Sequence, residues 1–493
     1  MSPLDLAVIL VYFALTLGVG LWATRSQRTA GDYFLGARNL PAWAVLLSIV
    51  ATETSALTVI SIPGIGARGD LTFLQLTFGY LLGRMLVAWW LLPGYFTGQQ
   101  ETAYARLESR FGPGTRRLIS ACFLLTRFLG DGVRIFAGAI PLALITGWSL
   151  PAAILAMGLV TLAYTYVGGL KAVVWADVIQ LVVYLSGGVA ALVIATQLAG
   201  GFGQVIDLAG AAGKLRMINP SFSFSATYTL LGGLVGGALL SAASHGTDHL
   251  IVQRLLATRS LRDARRALVG SGIVVILQFL LFLFVGITIW AAGFAPAEVS
   301  GDQIFARFIV SRLPAGLAGL LIAGILAAAM STISSSINAL ASSVTHDFYA
   351  SLTGRREPEH LLKVGKAFSA VWGVGLVAAA LGFYAFASGT DTPVVVLALS
   401  IASVTYGALL GTYILASRVR RATGRDAVAA TLVTLAVMLG TIFARRLAEF
   451  PALEWLAPVG QLAWPWYVPL GTALTLLVGT TSSRLAHRQP GPS

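Results

Sequence analysis

The chain has 493 residues, 57% of them hydrophobic and only 11% charged, with a net charge of +13 and a mean hydropathy of +0.82. Soluble domains carry about 25% charged residues, so this composition excludes a soluble fold and points to an all-α polytopic membrane protein embedded in a lipid bilayer. A single cysteine, Cys122, excludes an internal disulfide framework and a Cys-based metal site, and the five histidines show no metal-ligand spacing.

No Walker loop and no HExxH helix occurs, so nothing points to an enzyme. Apolar runs long enough to span lie near 4–22, 42–66, 73–95, 118–147, 151–167, 174–198, 228–251, 267–292, 313–344, 366–387, 393–416, 426–444 and 463–482. They predict about thirteen transmembrane helices. The first run has no basic residue before it and no obvious cleavage site, so it reads as a retained span. With the N-terminus outside and the C-terminus cytoplasmic, 23 basic residues fall in inside loops and 7 in outside loops. That bias fits the positive-inside rule and explains the net charge without nucleic acid as a partner. The end of the chain, from Arg488, reads as a disordered tail.

The second run reads Thr52-Glu53-Thr54-Ser55 at its centre, with Thr58 beyond and then Pro63, Gly64 and Gly66. An acid at this depth must face protein, water or a ligand. It either bonds a neighbour for packing or marks a pathway, and the second reading is favoured. Pro63 with its glycines is expected to break the helix near its outer end. In the fourth run Arg127, Asp131 and Arg134 share one face. They read as an ion-pair ladder or, alternatively, as an anchor for an anionic solute. The seventh run ends in Ser244-His245-Gly246-Thr247-Asp248, the composition of a discontinuous helix lining a cavity. The second and seventh runs stand five spans apart, as an inverted repeat of five helices predicts. Its halves would be 42–198 and 228–416, preceded by an extra helix and loop at 1–41 and followed by C-terminal helices and tail at 417–493.

The ninth run carries five hydroxyls almost in a row, Ser331, Thr332, Ser334, Ser335 and Ser336, after the small residues Ala327, Ala328 and Ala329. Ser331, Ser334 and Ser335 fall on one helix face. Hydroxyls and free carbonyls at mid-membrane depth suit a hard cation such as Na+. The bland alternative is helix packing, with each hydroxyl bonded back one turn.

Several stretches are similar to the sodium/solute symporter family. They are Asp32-Tyr33-Phe34-Leu35-Gly36-Ala37-Arg38, Thr102 to Gly112, Gly168-Gly169-Leu170-Lys171-Ala172-Val173-Val174-Trp175-Ala176-Asp177, Gln253-Arg254, and Ala329-Met330-Ser331-Thr332. The resemblance runs in order along nearly the whole chain. It implies a leucine-transporter-like 5+5 inverted-repeat core and a secondary active transporter of the cell membrane. Such a protein imports a small polar organic solute (a sugar, amino acid or organic acid) with Na+ as the coupling ion. It also implies a common sodium site made by the carbonyls of Ala51, Thr54 and Ala328 and the hydroxyls of Ser331 and Thr332. A second sodium site is implied at Asp177, with Ser331, Ser334 and Ser335. Asp177 is expected in the first turn of its helix, where a carboxylate is also favoured by the helix dipole alone. The implied solute site draws on Glu53, Ser55, Thr58, Gln75, Thr77, Arg134, Ser244 and Asp248. The alternatives are a sodium-leak channel or uniporter, and a membrane solute sensor built on the same core; the short C-terminal tail offers no kinase for the latter.

Overall fold

A bilayer core offers no water to backbone N–H and C=O groups, so each must be bonded within the chain. The computed structural model of the protein, described over residues 2–23, 28–98, 100–387 and 394–486, meets this with helices. Among these residues the β structure is one isolated bridge, Leu40 with Thr258. The predicted tail from Arg488 lies outside the described residues, as does Arg25.

In chain order the elements are α1 (Pro3–Ala23), α2 (Ala30–Leu35), α3 (Ala42–Glu53), α4 (Ala56–Arg68), α5 (Leu74–Leu86), α6 (Leu92–Tyr95), α7 (Ala105–Phe111), α8 (Pro113–Thr146), α9 (Leu150–Leu198) and α10 (Phe202–Ala211). The second half has α11 (Gly237–Gly246), α12 (His249–Leu256), α13 (Leu261–Ala291), α14 (Gly301–Arg312), α15 (Leu317–Ser343), α16 (Ala350–Thr353), α17 (Pro358–Ala387), α18 (Val394–Arg418), α19 (Gly424–Leu447) and α20 (Tyr467–Ala486). Six helical stretches among the described residues are long and apolar enough to cross a membrane, and the bent pair α3–α4 makes a seventh. That is fewer than the thirteen spans expected. Two of the expected runs do not stand as single long helices among the described residues: α1 counts only as a shorter apolar helix, Pro3–Val19, and α11–α12 is divided at Thr247–Asp248. The expected fifth and sixth runs are continuous as α9, kinked at Gly169.

Gly169 has φ +54, a left-handed conformation that side chains resist. A Cβ there would also meet the Tyr33 carbonyl at 2.5 Å. The Tyr33 hydroxyl lies 3.3 Å from the Thr165 and Tyr166 carbonyls just before the kink and 3.0 Å from Ser369 Oγ on α17, which holds α2 against both helices. Gly169→Ala is therefore expected to cost at least about 1–2 kcal/mol from backbone strain alone. Thermal unfolding of the purified variant measures it, and a melt superimposable on wild type would refute the argument.

Pro63 does not break its helix. It lies inside α4, which continues to Arg68. Gly64 and Gly66 instead let α14 and α13 approach: a Cβ on either would overlap the backbone of Gly301 or Leu283. The break in this run is at Thr54–Ser55, and the two pieces meet at 66°.

Helix α15 is the axis of the bundle. Every residue from Leu321 to Ser343 is buried. A helix apolar over most of its circumference is stable only when surrounded, and its hydroxyls then need partners inside the protein. The N-terminal helix α1 is pinned to its start: Asp5 accepts from the N–H groups of Gly316 and Gly319, both at 2.8 Å. A carboxylate there also complements the helix dipole.

Candidate functional site

The site forms where two interrupted helices face α15. Helix α3 closes with the Thr54 N–H bonded to the Val50 carbonyl at 3.1 Å. The carbonyls from Ala51 onward are then past the last intrahelical turn, and their lone pairs need another partner. Ala51 and Thr54 are both buried. Helix α15 lies alongside, with Thr52 Oγ1 3.2 Å from Ser335 Oγ. On α15 the Thr332 hydroxyl is 3.3 Å from the Ala328 carbonyl one turn earlier. The Ser331 hydroxyl gives its hydrogen to Asp177 Oδ1 at 2.6 Å, so its lone pairs remain available to a cation. The carbonyls at the end of α3 and the three oxygens of α15 are all oxygen donors, the ligand type that a hard cation prefers. The packing alternative also has support here, since Ser334 donates to the Ser331 carbonyl at 3.1 Å.

Asp177 is fully buried and takes more donors than the sequence disclosed. Ser48 donates to its Oδ2 at 2.5 Å, and the Arg254 guanidinium is 3.2 Å from the same oxygen. Arg254 also donates to Ser335 Oγ, and to Ser48 Oγ at 2.9 Å. Asp177 is not in a first helical turn. It lies within α9, eight residues beyond the kink, so the helix dipole does not account for it. Ser334 and Ser335 are on the α15 face that meets this cluster.

Beside the α3–α4 break is a cavity of about 280 Å³. Glu53, Ser55, Thr58, Arg134 and Ser244 line it. Gln75 and Thr77 do not. Gln75 is spent on the Thr72 carbonyl and the Asn219 N–H, at 3.0 and 2.9 Å, and Thr77 on the Leu74 carbonyl at 2.8 Å. Gln75 packs against Gly233, on the α5 face where Gly79 and Gly83 bring the α11 side close, and Thr77 is buried elsewhere on α5. Asp248 is also not in the wall. It caps α12, accepting from the Leu250 N–H at 2.9 Å, and holds Arg127 at 2.5 Å and the Tyr406 hydroxyl at 2.9 Å.

Charge in this region is paired. Arg84, completely buried, bonds Glu53, whose side chain is 21% exposed. His245 Nε2 is 3.6 Å from the same carboxylate. Asp131 pairs with Arg134 at 2.7 Å and is 3.7 Å from Arg127. Ser336 donates to it as well. Three arginines thus meet three carboxylates, and the charged residues in the cavity wall are Glu53, Arg127 and Arg134, of which Glu53 (21% exposed) and Arg134 (27% exposed) are the more open. Around them stand Phe73, Tyr80, Tyr228, Phe279, Tyr406 and Trp464. Ser61 and His245 belong to the cavity wall, and among the described residues Ser61 Oγ and His245 Nε2 are buried atoms without a hydrogen-bond partner. Sequence reasoning missed Arg84, His245 and the aromatic wall. Arg84 carried a signal, being an arginine inside a span.

Similarity to known proteins extends over most of the chain. The sequence pattern described as the sodium:solute symporter family matches residues 33–434. The human sodium/iodide cotransporter is 31% identical over 425 residues, 83% of this chain; the chain spans 65% of that protein's length. The sodium/sialic acid symporter of Proteus mirabilis is 28% identical, with 91% of each chain covered. That of Aliivibrio fischeri is 26% identical over 97% of this chain and 92% of its own. Among solved structures, a substrate-bound outward-open state of a Na+-coupled sialic acid symporter, described as revealing a novel Na+-site, superposes with a TM-score of 0.86 at 26% identity, covering 98% of both chains. A nucleobase-cation-symport transporter at 18% identity and TM-score 0.55 shares the fold. The chain belongs to the sodium:solute symporter family, integral membrane proteins that are transporters rather than enzymes and that couple the movement of a small solute to Na+.

Proposed function

We propose that this protein imports a small polar organic solute across the cell membrane together with Na+, by alternating access. The observation that carries the reading is the helix break at Thr54–Ser55, which has the hydroxyls of α15 on one side and the cavity on the other. One broken helix then serves both ligands. Sodium would be held by the carbonyls of Ala51, Thr54 and Ala328 and the hydroxyls of Ser331 and Thr332. Binding there fixes the end of α3 against α15. The same fixing orders Ser55 and Thr58 at the solute cavity, so each ligand favours the conformation the other needs.

Glu53, Ser55, Thr58, Arg134 and Ser244 would meet the solute directly, with Ser61 and His245 supplying unspent hydrogen-bonding capacity. Asp248 would act through Arg127 and Tyr406. Gln75 and Thr77 would act only by holding α5 in place. Arg134 offers a donor to a carboxylate, and the aromatic wall offers apolar area to a ring or chain. That mixture suits an organic acid, the class to which the sialic acid of two relatives and the monocarboxylates of others belong. Asp177, Ser331, Ser334 and Ser335 would form a second sodium site.

The framework for this mechanism is thirteen spans with a 5+5 inverted repeat, residues 42–198 and 228–416, the N-terminus outside and the C-terminus cytoplasmic. The interruptions at Thr54–Ser55 and Thr247–Asp248 would be the equivalent breaks of the two halves.

The test is uptake into proteoliposomes under an inward sodium gradient. Sialic acids, short monocarboxylates, sugars and amino acids form the panel, after a thermal-shift screen with and without sodium. A ligand at 100 times its Kd stabilises the folded state by about 2.7 kcal/mol. One solute is expected to accumulate above its external concentration and to leak back when a sodium ionophore collapses the gradient. Flux that never exceeds equilibrium would indicate a uniporter or channel instead.

A further inference from the structure

The residues of the second sodium set are not a vacant oxygen cage. Arg254 projects from α12 into their midst, fully buried. Its Nη2 is 3.2 Å from Asp177 Oδ2 and also donates to Ser335 Oγ. Its Nε donates to Ser48 Oγ at 2.9 Å, and its Nη1 to the Leu250 carbonyl at 2.7 Å. Of the four members of the set, Arg254 therefore engages two, the carboxylate included. Ser48, which donates to Asp177 at 2.5 Å, completes the ring around the guanidinium.

From this geometry we infer that Arg254 and Na+ are alternative cations of one site. The carboxylate has a single negative charge, and both cations would draw on it and on the same serine oxygen. With Arg254 engaged, Asp177 is already compensated and the site has little affinity for sodium. With Arg254 withdrawn, the buried carboxylate has no positive partner, and sodium supplies it. The tie has a mechanical side as well. Ser48 lies on α3 and Arg254 on α12, the pieces on one side of each broken helix, whereas Asp177 and Ser335 lie on α9 and α15. The guanidinium joins the two groups, and exchanging it for sodium releases the joint while keeping Asp177 neutralised. Arg254 is thus a positioning residue that sets when the second cation enters.

This inference rests on the sodium-symport reading, and the experiment separates the two. Purified full-length protein is melted in sodium against choline, and binding of radioactive sodium is measured on the same samples. Wild type, Arg254→Gln, Arg254→Lys and the pair Arg254→Gln/Asp177→Asn are compared, all purified in high sodium so that an uncompensated Asp177 does not prevent folding. Arg254→Gln is expected to lower the sodium concentration for half-maximal stabilisation about tenfold and to add a second bound ion. Arg254→Lys keeps the charge and is expected to stay within about threefold of wild type. Adding Asp177→Asn is expected to abolish the gain. A sodium requirement in Arg254→Gln that is unchanged or higher, or a gain that survives Asp177→Asn, overturns the competition. A merely structural arginine would move Gln and Lys variants alike, and that result overturns it too. A wild type that ignores sodium altogether would instead remove the symport reading, and this inference with it.

Discussion

Replacing Ser331 and Thr332 together by alanine is expected to raise the sodium concentration for half-maximal uptake by at least about tenfold, equivalent to about 1.4 kcal/mol of lost sodium binding. The change removes two of five proposed oxygen ligands. Water is poorly placed to replace them, because α15 is buried along this whole stretch. The two hydroxyls are not equivalent in their other duties. Ser331 donates to Asp177 Oδ1, so its loss also leaves a buried carboxylate short of a donor. Among the described residues the hydroxyl bond of Thr332 is to the Ala328 carbonyl at 3.3 Å, itself a proposed ligand. Thr332→Ala alone therefore reports on sodium more cleanly, and Thr332→Ser, which keeps the hydroxyl, is expected to behave almost as wild type. Initial uptake rates against sodium in reconstituted vesicles, at matched protein, give the answer. A double variant with wild-type sodium dependence would return the hydroxyls of α15 to the role of helix packing.

The elements that this prediction uses were legible because they are local. A run of hydroxyls in an apolar span, and serines three and four apart on one face, are properties of a single helix. Acids and small polar residues inside the second and seventh runs marked the interrupted helices, though the break in the second was assigned to Pro63 rather than Thr54–Ser55. Proline removes one donor, and neighbouring glycine contacts let α4 continue through that loss. What periodicity cannot give is the partner on another helix. Arg127, Asp131 and Arg134 were seen as a ladder because they share α8, yet the shortest bond of Arg127 goes to Asp248, 121 residues away. Asp177 was matched to serines of α15, but its balancing cation comes from α12. Gln75 and Thr77 were drawn to the solute by sequence position, and their side chains turn to backbone carbonyls instead. Arg84, Arg127 and Arg134, each inside an expected apolar run, all belong to this one region. The cost of a buried charge is thus a better guide to the site than the identity of any one polar residue.

Glu53 and Arg84 provide the other large effect, because the pair separates stability from solute recognition. Arg84 is completely buried, and besides Glu53 its bond is to Ser271 Oγ at 2.7 Å. Removing one member of a buried pair leaves an uncompensated charge and costs roughly 3–5 kcal/mol, whereas replacing both by apolar groups of similar volume is often neutral. Glu53→Met alone is therefore expected to unfold most of the protein on extraction, and Arg84→Met to lose stability nearly as much. The pair Glu53→Met/Arg84→Met is expected to regain most of the loss, which monodispersity and thermal unfolding of the three variants will measure. Transport then tells whether the carboxylate does more than balance Arg84. It is 21% exposed, lines the cavity and stands beside His245, so a folded double variant is expected to have lost uptake or changed solute preference while still being stabilised by sodium. Glu53→Gln refines the point. The amide keeps the volume and an acceptor for Arg84 but leaves its charge uncompensated, so Glu53→Gln is expected to lose less stability than Glu53→Met and still to change solute selectivity. If the double variant, or Glu53→Gln, takes up the identified solute as wild type does, then Glu53 serves Arg84 alone, and recognition falls to Arg134 and the hydroxyls of Ser55, Thr58 and Ser244.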